Sequence, residues 1–179
     1  LMSQIGFGLS AAATGTITMA TAIGALEMKA LAPRVLRRFG FRRSLIVSGL
    51  VSSLGYATCA LFRPDWPVAA LVALLALSGF FTSFQFTGYN AIAYAEVDDD
   101  RMSAATSFYA TFQQLMLSLG ICTAAMVLEV GTLVGGGGEP TLAAFSAAFL
   151  VVSGISGAAF FWNRRFAADA GETMSGHRA

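Results

Sequence analysis

Several stretches of this chain, each about 20 residues or longer, are apolar around their whole circumference, and this limits what the chain can fold into. They run over residues 8–31, 44–62, 68–94, 104–128 and 141–162. A soluble helix keeps one face wet, so its apolar residues recur at three-to-four spacing; no such stripe separates the two faces here. At about 1.5 Å per residue, a run of about 20 residues crosses about 30 Å of hydrocarbon. With 56% hydrophobic and 12% charged residues, the chain also lacks the polar surface of an ordinary soluble domain. The expected fold is therefore all-α: a polytopic membrane bundle of about five transmembrane helices over residues 1–165. Residues 166–179 follow as a short polar tail, expected to be disordered and cytoplasmic.

The connections orient the bundle. Pro33 is expected to end the first run, and the next ten residues carry Arg34, Arg37, Arg38, Arg42 and Arg43 around Gly40. So dense a cationic loop marks the cytoplasmic side. Two prolines and Trp66 in the turn 63–67 suit the outer interface, and the glycine run 135–138 suits a flexible outer loop. The acidic turn 96–101 then falls inside, as do Arg164 and Arg165 at the end of the last run. The expected location is an inner, plasma-type membrane with the C-terminus in the cytoplasm. Leu1 to Phe7 read as the trailing edge of a preceding segment, so the chain is expected to be part of a longer protein whose N-terminal helices complete the bundle.

Residue chemistry excludes several classes of activity. His177 is the one histidine and lies in the tail, so neither a histidine-based triad nor a His/Cys metal cluster can be assembled. Cys59 and Cys122 both fall within apolar runs and read as small buried hydrophobes. No metal, cofactor or covalent chemistry is expected, and a net charge of +1 gives no reason to expect a nucleic-acid partner. The informative residues are polar ones within the apolar runs, because a polar side chain at that depth needs a partner or a cavity.

Such residues concentrate between Gly79 and Gly120. Phe81, Gln85 and Tyr89 recur at i, i+4 on one expected helix, with Asn90 adjacent, and Gln113 and Gln114 lie on the next. Counted from the middle of each run, Gln85, Gln113 and Gln114 lie roughly 7 to 8 Å to the cytoplasmic side of the midplane. Amides mixed with aromatic faces suit a bulky, partly apolar, partly cationic ligand. The plainer reading of each amide is interhelical packing, worth about 0.6 kcal/mol. Glu27 and Glu129 are the acids within the runs, each near a membrane face; Glu27 is the candidate for a proton-linked role, and the principal proton carrier is expected upstream of Leu1.

Two segments resemble a known family. The arginine stretch resembles the second copy of the cytoplasmic loop signature of the major facilitator superfamily, G-x-L-x-D-R-x-G-R-R. Aligned on Gly40, it keeps Arg38 and Arg42, with Pro33 for the leading glycine, Arg37 for the aspartate and Phe41 for the first closing arginine. The stretch from Phe84 to Ile121 is similar to the penultimate helices of the fourteen-span drug/proton antiporter branch. Gln85, Phe86, Thr87, Asn90, Tyr94, Ala95, Glu96 and Val97 match there, as do Ser103, Ala105, Thr106, Ser107, Gln113 and Gln114. The resemblance implies secondary active, proton-coupled export of small amphipathic or drug-like compounds by alternating access. Arg34, Arg37, Arg38, Arg42 and Arg43 have two readings of their own: a latch against neighbouring helices in a cytoplasmic gate, or an anchor of the loop at anionic headgroups. The competing reading is a membrane structural or assembly subunit with transporter-like helices.

Overall fold

The computed structural model describes residues 2, 4, 7, 8 and 10–167, so residues 168–179 of the tail lie outside the described part. The described residues form an all-helical bundle. α1 spans Ala11–Ala60, α2 Val68–Tyr94, α3 Met102–Val134 and α4 Leu142–Asn163, with a short 3-10 turn Asp99–Arg101 before α3. Ser10 and Thr141 cap α1 and α4 by accepting hydrogen bonds from the Ala13 and Ala144 amides, which satisfies N–H groups that a helix start leaves open. Three helical stretches, Val68–Tyr94, Asp99–Val134 and Leu142–Asn163, are long and apolar enough to cross a bilayer.

The helix break expected at Pro33 lies elsewhere. α1 runs through Pro33 and changes course at Gly40, with φ 70° and ψ 169°, a conformation essentially confined to glycine and costing other residues about 1–3 kcal/mol. The stretch expected to be a loop, Arg34 to Arg43, is helical on both sides of that residue. Proline is tolerated within a membrane helix because neighbouring helices and local adjustment satisfy the freed carbonyl, whereas no side chain but hydrogen fits the Gly40 backbone.

The two arms of α1, 11–39 and 41–60, run in opposite directions along α2. A methyl group at Gly24 would fall on the Ala76 carbonyl, and Met28 and Ala32 share a core cluster with Phe84, so the first arm runs parallel to α2. In the second arm Leu45 meets Gly88, Gly49 meets Gln85, and the Tyr56 hydroxyl bonds the Thr82 hydroxyl at 3.1 Å, so this arm runs antiparallel. Gly40 is thus the tip of a helical hairpin that clasps α2. Ile17, Cys59, Phe62, Leu71 and Phe145 close the hairpin at its far end in one apolar cluster.

Small residues and hydroxyls make these contacts because lipid offers helices no hydrophobic gain on association. Gly79 lies against the Thr21 backbone, and Gly131 against Ala144. Ser53 and Ser153 hydrogen-bond reciprocally to each other's carbonyls at 2.8 and 2.7 Å, and Ser146 donates to the Ala60 carbonyl at 2.6 Å, holding α4 to the second arm. Buried hydroxyls in hydrocarbon need such partners.

A cleft beside α3 as the candidate functional site

α3 is attached along one side only. It packs on α4 and meets α2 chiefly at the end near the 3-10 turn, where the Tyr94 and Tyr109 rings stack edge-on with centroids 5.5 Å apart. Thr132 is its one buried residue, while Phe108, Ile121 and Met126 stand 75%, 71% and 68% exposed. Between α3 and the rest of the bundle lies a cavity of about 570 Å³. α2 contributes Phe86 and Tyr89 to its wall, α3 contributes Tyr109, Phe112 and Gln113, and Trp162 and Phe166 border it at the end of α4. A second cavity of about 530 Å³ shares Met116 and Leu117 with the first and continues past Gly120 and Thr123 to Tyr56 and Ser156. The two form one cleft, aromatic at the end near Tyr94 and lined by small and aliphatic residues farther along.

The residues singled out from the sequence are distributed over three places. Tyr89 and Gln113 both line the aromatic cavity. Phe81 lines a different, almost wholly apolar pocket with Phe39, Phe80 and Phe84 beside the hairpin tip. Gln85 turns toward the second arm of α1, where its Nε2 would stand 3.1 Å from a methyl at Gly49. Asn90 donates back to the Phe86 carbonyl of its own helix at 2.6 Å, and Gln114 is exposed. A spacing of four residues drifts around a helix by about 40° per step, so Phe81 and Tyr89 part company two turns apart. Glu27 is exposed on the first arm of α1, away from the cleft.

The arginines gather at the hairpin tip, at the same end of the bundle as Asn163 and the 3-10 turn. Arg42 donates to the carbonyl of Arg164, the C-terminal cap of α4, at 3.1 Å. A cation at that position complements the negative end of the α4 dipole. Arg38 lies over the Phe39 ring at 5.6 Å, and Arg37 borders a pocket with Lys29, Thr87 and Ala91.

Asn163 was not evident as a functional residue from the sequence, where it reads as the exit from the last apolar run. It is 1% exposed, its Oδ1 accepts the Tyr89 hydroxyl at 2.8 Å, and its Nδ2 donates to the Leu45 carbonyl at 3.2 Å. One amide thereby ties α4, α2 and the second arm of α1. An amide directly before two arginines at the end of an apolar run was the available signal, and only the tertiary arrangement gives it meaning.

Comparison with known proteins agrees with this architecture. The sequence profile described as Major Facilitator Superfamily matches residues 2–173. "Putative multidrug resistance protein MdtD" of Klebsiella pneumoniae (strain 342) is 31% identical over 129 residues, 70% of this chain and 26% of that protein. The protein of that name from Cronobacter sakazakii (strain ATCC BAA-894) is 30% identical over 162 residues, 89% of this chain and 31% of its own length. The chain thus spans about a quarter to a third of the curated relatives it matches. No solved structure matches. With its profile covering every described residue of an all-helical, apolar bundle, the chain belongs to the Major Facilitator Superfamily.

Proposed function

We propose that this chain forms part of the second half of a secondary active exporter that moves small amphipathic compounds outward in exchange for protons. The observation that carries this reading is the cleft beside α3. A cavity walled by five aromatic side chains and Tyr89, with Gln113 as its amide, offers stacking faces and a few hydrogen bonds without fixed charge, which suits varied, partly apolar ligands. The names of the relatives point to the same substrate class. In this reading the remaining helices of the protein close the open side of α3, and access alternates between the two faces of the bilayer. The hairpin tip with its arginines faces the cytoplasm, as the positive-inside bias requires, so the end of α4 lies there too.

Uptake of an amphipathic fluorescent cation into inside-out vesicles containing the full-length protein tests it. Accumulation is expected on imposing an acid-inside gradient and should collapse with a protonophore; accumulation unaffected by the protonophore rules out proton exchange. The arginines are assigned to the cytoplasmic gate, because Arg42 holds the end of α4 to the hairpin tip. Replacing Arg38 and Arg42 together by alanine is expected to slow export severalfold at unchanged membrane abundance, read by the same uptake assay and by immunoblot. Unchanged export would leave these side chains as headgroup anchors.

A further inference from the structure

The hydrogen-bond direction at Tyr89 follows from a backbone group. The Leu45 carbonyl accepts hydrogen bonds and cannot donate, so the Asn163 atom facing it at 3.2 Å is the NH2 group. The other side of the amide must then present its oxygen to Tyr89, and the tyrosine hydroxyl spends its one hydrogen on that oxygen at 2.8 Å. Asn163 is 1% exposed, so no solvent competes for the amide, and flipping it would set its oxygen against the Leu45 carbonyl oxygen.

We infer that Tyr89 is a specificity-determining residue of the cleft: with its proton committed to Asn163, it offers the cavity a lone pair only, and so selects ligands that present an N–H or O–H donor. Protonated amines meet this requirement and also gain from the surrounding aromatic faces, whereas a ketone or ether oxygen placed against Tyr89 meets another oxygen. The inference rests on the cleft being the export pathway, and it names the ligand chemistry that the pathway prefers.

The test compares two fluorescent probes on one scaffold, an arylalkyl dimethylammonium, which keeps one N–H, and its trimethyl analogue, which keeps the charge without a donor. Export by the full-length protein is measured for wild type, Tyr89→Phe and Asn163→Ala. In wild type the dimethyl probe is expected to show a KM at least about ten-fold below that of the trimethyl probe, the range of one hydrogen bond from a charged donor. Tyr89→Phe should bring the two KM values together. Asn163→Ala frees the tyrosine hydrogen, and an ether-bearing probe of the same size should then gain affinity severalfold. A KM ratio unchanged in Tyr89→Phe overturns the inference while leaving export itself intact. Export of neither probe by wild type overturns the functional reading, and this inference with it.

Discussion

Replacing Gly24 or Gly79 by leucine is expected to abolish recovery of folded protein, whereas leucine at Gly15 or Gly154 leaves it nearly unchanged. The two sensitive glycines are where the first arm of α1 and α2 cross with their backbones in contact. A Cβ at Gly24 would coincide with the Ala76 carbonyl, and one at Gly79 would meet the Thr21 backbone. Neither obstacle is the end of a flexible side chain, so the helices must separate along the whole crossing. Overpacking of this kind costs about 3 kcal/mol or more, a large part of the stability of a typical domain. Gly15 shares its arm with Gly24, and an added Cβ there meets nothing within 4 Å; the same holds at Gly154 on α4. Helix propensity rises in all four variants, so the contrast isolates the crossing. The measurement is the monodisperse fraction of full-length protein after detergent extraction, with its thermal midpoint. Equal recovery of all four variants would show that the α1–α2 contact does not hold the bundle together.

The same crossing marks how far the sequence could be read. Apolar runs of sufficient length identified a helical membrane bundle, and the run 68–94 coincides with α2. Close packing occurs at Gly24, within the first run. The hairpin tip was displaced because proline and glycine both signal breaks, and which one acts depends on neighbours that the sequence does not show. The helix continues through Pro33, and Gly40 took the turn. The glycine run placed a loop correctly in kind, with Gly136, Gly137 and Gly138 all at positive φ, yet α3 continues to Val134 because Gly131 is held against Ala144. At the candidate site, depth and spacing brought Tyr89 and Gln113 together but could not separate Gln85 from them, since rotation of a helix about its axis is set by its packing partners. Asn163 was hidden for the same reason: its value lies in Leu45 and Tyr89, which are 118 and 74 residues away.

Gly120→Trp is expected to reduce export of the amphipathic probe at least about ten-fold, equivalent to about 1.4 kcal/mol, without lowering the thermal midpoint. Gly120 lies on α3 in the wall of the longer part of the cleft, between Leu117 and Thr123. A Cβ there meets nothing within 4 Å, so an indole has room to extend into the space the ligand would cross rather than into the bundle. Its chemistry matches the aromatic lining nearer Tyr109, so the substitution narrows the passage without adding charge or a hydrogen-bond acceptor. Two measurements on one variant separate the uses this cleft could have. If it is the export pathway, the rate falls and the midpoint holds. If other helices of the full-length protein fill it as a structural seam, the indole has no room, and the midpoint falls together with the yield of folded protein. Alanine at the same position supplies the reference: it should export at the wild-type rate in the first case and lose little stability in either, because one methyl neither spans the cleft nor meets a neighbour. A tryptophan variant with normal export and normal midpoint would place the pathway elsewhere in the protein, and the aromatic cavity around Tyr89 and Gln113 would then have to be explained as a lipid-facing groove.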